Sequence, residues 1–223
     1  MDWTPIILSV KLSVVTTVIL GFIGLPLAYW LAQGNSIWKI VIEALLTMPL
    51  VLPPSVLGFY LLLAFSPQGW LGKNLNEVFD IQLVFSFKGL VLASVIYSLP
   101  FMVGPIKSAF VRMPRSIIEA SYTMGKSELA TFIHISVPVV KPAIVTASVL
   151  SFAHTMGEFG IVLMIGGNIP GVTQVGSVAV YNAVEQMDYI TAGSHASVLF
   201  AISFAIVLLV FVINRHIAKS PLE

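Results

Sequence analysis

Cysteine is absent from the 223 residues, which excludes disulfides, thiolate metal sites and cysteine nucleophiles. Charge is scarce. Only 9% of residues are charged, against about 25% in soluble domains. With 57% hydrophobic residues and a mean hydropathy of +0.98, the chain cannot cover a water-facing surface, so lipid is expected to be most of its solvent. A net charge of +1 leaves no electrostatic footprint for nucleic acid. The start, MDWTP, has no basic n-region, and the first apolar run is too long for a signal peptide, so that run is expected to stay as a membrane anchor. No solenoid repeat, low-complexity tract or second soluble domain is visible.

What is present is apolar length. A helix needs about 20 apolar residues to cross a bilayer, and five stretches qualify: about 6–31, 40–65, 89–106, 142–165 and 192–213. Lys and Arg set the orientation. With the N-terminus outside, eight of the 11 fall inside: Lys39, Lys107, Arg112, Arg115, Lys126, Lys141, Arg215 and Lys219. Lys11, Lys73 and Lys88 remain outside, and the loop 166–191 has no Lys or Arg. The expectation is an all-α integral membrane protein with five spans, N-out and C-in, whose transmembrane domain covers 6–214. A cytoplasmic loop, 111–141, and a cytoplasmic tail, 215–223, complete it.

The loop 111–141 is long enough to hold structure. Ser116 with Glu119 three residues on has capping-box spacing, and Gly125 is placed to end the helix it would start. Ser127 is expected to cap a second short helix, which Pro138 ends. The loop also contains ASYTMGKS, Ala120 to Ser127, which fits the loose form of a phosphate-binding loop. Such a loop must follow a strand and open a helix. Here it follows a helix start in a chain with no α/β domain, so ATP binding by these residues is not expected.

The same residues resemble another motif. EASYTMGKSELATFIHISVP, Glu119 to Pro138, is similar to the EAA motif of binding-protein-dependent ABC importer permeases. Glu119, Ala120, Gly125, Ile135 and Pro138 fall at the motif's positions, while Ser121 replaces its second Ala and Val137 its Leu. A second stretch, HTMGEFGIVLMIGGNIPG, His154 to Gly171, resembles the oxyanion branches of that family, which carry molybdate/tungstate or sulfate/thiosulfate. MPLVLPP, from Met48, and the overall length look closest to the molybdate branch. The resemblance runs from about residue 8 to 213.

It implies a MetI-like type I importer permease fold and a permease subunit that is not itself an enzyme. It also implies that Glu119, Ala120, Ser121, Gly125, Ile135 and Pro138 couple the chain to an ATPase. The implied partners are a second copy in a homodimer, two ABC ATPase subunits, an extracytoplasmic molybdate-binding protein and membrane lipid, with no nucleic acid. The chain is expected to bind no cofactor or metal; ATP and Mg belong to the ATPase subunit. The implied location is the inner (cytoplasmic) membrane of a prokaryote.

Several residues are candidates for a pathway or gate. Pro49, Pro53, Pro54 and Ser55 lie inside a span, where prolines free carbonyls that a neighbour or cavity must satisfy. His154 and Glu158 are four apart on one helix face, flanked by Gly157 and Gly160, and ionisable groups at this depth usually face the protein interior or a cavity. A hydrogen-bonded pair that fixes packing explains them as well, and a carboxylate repels an oxyanion substrate. Two ligands without cysteine fall short of a zinc site. His134 and His195 read as interfacial. Asn168, Pro170 and Gly171 are expected to shape an outer turn at the rim of a binding-protein dock. An intramembrane hydrolase built on His154, Glu158 and a serine, or an ion-coupled secondary transporter, is the alternative from another class. The first lacks a positioned nucleophile motif and the second an internal repeat.

Overall fold

The computed structural model describes residues 2–34 and 36–218, and these are helical with no β-strand. Lys219 and the rest of 219–223 lie outside them. Three helices are long and apolar enough to cross a membrane on their own: α1 (Thr4–Ala32), α5 (Phe87–Arg112) and α12 (Tyr189–Ala218). Two bent helix pairs raise that number to as many as five spans.

The first bent pair falls within the expected span over 40–65 and bends it sharply. Two helices, α2 (Ile37–Val51) and α3 (Pro54–Phe65), meet at 115°. The cause is local. Pro53 and Pro54 have no N–H to continue the ladder, and Leu52, before a proline, takes the extended conformation that proline imposes on its predecessor (ψ 137). α3 then starts on Pro54, whose fixed φ suits the first helical turn. A short helix, α4 (Trp70–Phe79), leads to α5.

The loop after α5 holds α6 (Arg115–Thr123), α7 (Glu128–Thr131), a π-helical turn (Phe132–Ser136) and α8 (Val137–Val139). Two expectations fail here. The capping box does not form, because the helix begins at Arg115 with Pro114 as its cap and Ser116 lies inside it. Pro138 does not end the second helix: it sits in α8, and the chain turns only at Val140, bending by 72° into α9 (Lys141–Met156). Pro138 lies in helical backbone that continues directly from the π-helical turn. Gly125 does take the left-handed conformation (φ +77), and Ser127 caps α7, accepting from Ala130 N–H at 3.3 Å.

The stretch read as a span over 142–165 is broken at Gly157–Phe159, between α9 and α10 (Gly160–Gly166). α11 (Gly176–Glu185) follows, and Asp188 stands at the start of α12. Hydrogen bonds from Thr191, side chain first and backbone N–H second, hold the Asp188 carboxyl below its usual range. His195, expected at an interface, is buried in α12. Its ring lies between Thr191 O (2.9 Å) and Asp2 O (3.0 Å), tying the N-terminal segment to that helix.

α5 is the central element, packed on α1, α2, α9 and α10. Two apolar cores lie at its two ends. One joins Leu12 of α1, Leu90 of α5 and Ile161 of α10; the other joins Leu31, Phe110 and Ala147 of α9. α1 and α5 therefore run parallel and α9 runs against them, so α6–α8 sit at one end of the bundle and α11 at the other. α1 also presents Ser9, Ser13 and Thr16, all buried; small residues of this kind let membrane helices approach closely.

α3 is held against α10 at Gly58, where an added Cβ would lie 3.0 Å from the Met164 side chain and 3.2 Å from Ile161 Cα. Gly58→Leu should overpack this contact and cost about 1–3 kcal/mol, read as a lower melting midpoint of the detergent-solubilised protein. An unchanged midpoint would mean that α3 does not depend on α10.

Candidate functional site

α5 and the end of α9 face one another with matching spacing. Ser94, Tyr97, Ser98 and Phe101 recur at i, i+3, i+4 and i+7, as do Ser151, His154, Thr155 and Glu158, so each set shares one helix face. Glu158 follows Gly157, where α9 stops, and is 3% exposed. Its carboxyl accepts from Ser94 Oγ at 2.5 Å and from Ser98 Oγ at 2.8 Å, and its backbone carbonyl accepts from Ser177 Oγ at 2.5 Å. Ser98 Oγ also lies 2.9 Å from Thr155 Oγ1 and 2.8 Å from His154 Nδ1. The His154 ring stacks on Phe101 (centroids 4.0 Å apart) and lies 4.6 Å from Tyr97.

This cluster borders a cavity of about 660 Å³. The cavity brings together residues far apart in sequence: Pro54 and Ser55 from the α2–α3 bend, with His154, Gly157, Glu158 and Gly160 from the α9–α10 break. Gly160 allows the two breaks to meet, since an added Cβ would lie 3.2 Å from Pro54 Cβ and 3.3 Å from Ser55 N. Pro53 adjoins this cavity in the chain but does not line it, and Pro49 is buried within α2.

Ser98, His154 and Glu158 are not arranged as a hydrolytic triad. A triad places serine and carboxylate on opposite ring nitrogens, whereas here the serine and the carboxyl both face Nδ1, at 2.8 and 3.6 Å. The Ser98 hydroxyl is buried and occupied by three partners, so it is not available to a substrate.

The second candidate surface is at the α6 end. Glu119, Ala120, Gly125 and Pro138 are exposed, and Ile135 is half-buried. Ser121 is instead buried, its hydroxyl 2.8 Å from that of Thr131, and so joins α6 to α7 across the Gly125 turn. Around this joint the chain leaves Met124 68% and Leu129 67% exposed, a large apolar surface on a compact element. Glu119 also borders a cavity of about 900 Å³ with Lys39, Glu43, Lys107, Arg115 and Tyr122; Lys107 pairs with Glu43 inside it. His134 is exposed beside this surface.

At the opposite end Asn168 has a left-handed backbone (φ +58). Its side chain is held by Asn182 and Gln174 at 2.9–3.0 Å. Thr173 donates to Gly166 O at 2.6 Å and accepts from Ile169 N–H at 3.0 Å. The turn is thereby fixed, with Ile169, Pro170, Gly171 and Val172 exposed at its tip.

Comparison with known proteins places this arrangement. Residues 24–220 match the family described as binding-protein-dependent transport system inner membrane component. The chain belongs to that family. Among relatives of this inner membrane component, the molybdenum transport system permease protein ModB of Azotobacter vinelandii is 42% identical, over 96% of this chain and 95% of its own length. A probable sulfate transport system permease protein, cysT, of Chlorella vulgaris is 31% identical, over 92% of this chain and 76% of that protein. The solved bacterial alginate ABC transporter in complex with an alginate pentasaccharide-bound periplasmic protein shares the fold, with a TM-score of 0.72 at 15% identity, over 98% of this chain and 81% of that one. The chain is thus an ABC transporter permease component.

Glu158→Ala should leave the buried Ser94 hydroxyl without the carboxyl that accepts from it, at a cost on the order of 1–3 kcal/mol. Glu158→Gln, which keeps an acceptor oxygen, should cost less. A thermal unfolding series that includes Ser94→Ala and the double variant checks this: additive losses would mean that Ser94 and Glu158 are not coupled.

Proposed function

We propose that the chain is the permease subunit of an ATP-driven importer for molybdate, with tungstate as a close second substrate, and that it forms the translocation pathway as a homodimer. The observation that carries the substrate is the 42% identity to a molybdenum permease across nearly the full length of both chains. Sulfate is the second reading, supported by the 31% identical relative.

In this reading the five spans are α1, α2–α3, α5, α9–α10 and α12, with the N-terminus outside the inner membrane of a prokaryote. The parallel run of α1 and α5 supports it, because one return span must separate them. The charge distribution supports it too: Arg112, Arg115, Lys126 and Lys141 gather at the α6 end, and cytoplasmic ends carry the excess of positive residues.

The exposed element α6–α7 is read as the coupling surface for a separate ATPase, through Glu119, Ala120 and the Gly125 turn. ATP and Mg are handled by that ATPase. Closure of two ATPase subunits would draw the two coupling elements together and tilt the spans, opening the pathway toward an extracytoplasmic binding protein; hydrolysis would reset it. A ligand moves such an equilibrium only through contacts that differ between its states, and α6–α7 offers exposed apolar area for such contacts. The fixed turn at Asn168, Pro170 and Gly171 is read as the rim of the binding-protein dock. Pro54, Ser55, His154 and Gly157 line the pathway side of the bundle.

Labelled molybdate uptake, measured in cells lacking the chain and again after its restoration, tests the substrate. Uptake should return and be blocked by excess tungstate but not by sulfate; block by sulfate would move the chain to the sulfate reading. Gly125→Asp tests coupling. The space around an added Cβ is empty and aspartate tolerates the left-handed backbone, so the loop should fold and the protein insert, yet uptake should fall to background. Normal uptake by this variant would refute the docking surface.

A further inference from the structure

We propose that the cavity beside the α9–α10 break holds the travelling oxyanion on Nε2 of His154, and that the Ser98–His154–Glu158 cluster takes up one proton when it does so. The inference rests on the reading of this cavity as part of the pathway.

The proton inventory of the cluster carries the argument. A serine hydroxyl has one proton to give and two lone pairs with which to accept. With Glu158 ionised, Ser98 gives its proton to the carboxylate at 2.8 Å. It must then accept from Thr155 and from His154. His154 therefore carries its proton on Nδ1, which leaves Nε2 with a bare lone pair; the ring lines the cavity, and its only hydrogen bond among the described residues is at Nδ1. In that state the ring repels an anion.

One added proton reverses this when it joins the ring or Oε1 of Glu158, the oxygen that faces Ser98. If it joins the ring, the imidazolium has an Nε2–H beside the ionised Glu158. If it joins Glu158, the carboxyl donates to Ser98, Ser98 donates to Nδ1, and the proton of the ring moves to Nε2. These are two arrangements of one macroscopic state, and both present a donor to the cavity. Glu158 never faces the anion, since its side chain is 0% exposed and both oxygens are occupied. Its negative charge is what makes room for the proton. Ser98 and Glu158 are thus positioning residues, and His154, with its side chain 20% exposed, is the contacting one.

The ring is held for this contact. Phe101 stacks on it and Tyr97 borders it, so Nε2 stays aimed while the proton moves. Tyr97 on α5 is the other titratable group among the described lining residues, and Tyr181 of α11, which donates to Glu185, packs on the lining residue Phe159. Ser55 and Pro54 on α3 and the nearby Ser13 and Thr16 on α1 carry none. A fully ionised tetrahedral oxyanion fits: it has only acceptor oxygens and gains from a charge-assisted donor. The proton comes from water in the cavity as the anion enters and returns to water as it leaves, so the step balances without another reactant.

The test uses the complete importer, reconstituted in vesicles with its ATPase and binding protein, and molybdate uptake normalised to binding-protein-stimulated ATP hydrolysis. His154→Gln reaches toward the Nε2 position with an amide donor that does not titrate. His154→Asn keeps only the donor near Nδ1, and His154→Phe keeps only the stack on Phe101. Wild-type uptake should fall as pH rises from about 6 to about 9. The Gln variant should retain uptake with a flat profile, and the Asn and Phe variants should lose about tenfold, the loss expected for one charge-assisted hydrogen bond. Wild-type rates in Asn or Phe would overturn the contact, since a packing role survives in Phe. A Gln profile that follows the wild type, or a flat wild-type profile even where no variant assembles, would overturn the proton. A wild type that carries no oxyanion at all would overturn the permease reading and this inference together.

Discussion

A carboxyl group far from water must bring its own hydrogen-bond donors, and in this chain that requirement organises the bundle. Glu158 finds its donors on Ser94 and Ser98 of α5. Its position at the end of α9 then fixes how α9 crosses α5 and where α9 stops. The break at Gly157–Phe159 lets the chain re-enter as α10, and α10 receives α3 across the Gly58 and Gly160 contacts. The cavity is what remains where two interrupted helices meet and neither can fill the space between them.

The two ends of the molecule answer different demands. At the α11 end, polar side chains of Asn168, Thr173, Gln174 and Asn182 lock a turn into one shape. At the α6 end, the lock is internal, between Ser121 and Thr131, and the outward face is left apolar and open. A firm joint with an exposed face passes on force without deforming, as the proposed coupling role of α6–α7 requires.

Much of this was legible in the sequence. Apolar length located α1, α5 and α12, and the left-handed turn at Gly125 and the cap at Ser127 follow from residue type. Other features were hidden because tertiary contacts decide them. Prolines at 53 and 54 promised a kink, but not that α3 would then pack on α10 at Gly58. Ser116 and Glu119 have capping-box spacing, yet Pro114 takes the cap position two residues earlier and the helix starts at Arg115. Pro138 looks like a stop, but the helical backbone runs through it from the π-helical turn to Val139. The partners of Glu158 were missed although a signal existed: Ser94, Tyr97, Ser98 and Phe101 repeat the spacing of Ser151, His154, Thr155 and Glu158. Two polar faces of equal period in two apolar runs are best read as a pair.

The burial of Glu158 also bears on how the protein is made. Synthesis runs from the N-terminus, so α5, with Ser94 and Ser98, enters the membrane before α9 leaves the ribosome. When the segment bearing Glu158 arrives, its donors are already at the correct depth. The order of the residues along the chain therefore spares the carboxyl a stay in lipid without partners, and α5 serves the newborn chain as a template before it serves the finished one as a wall.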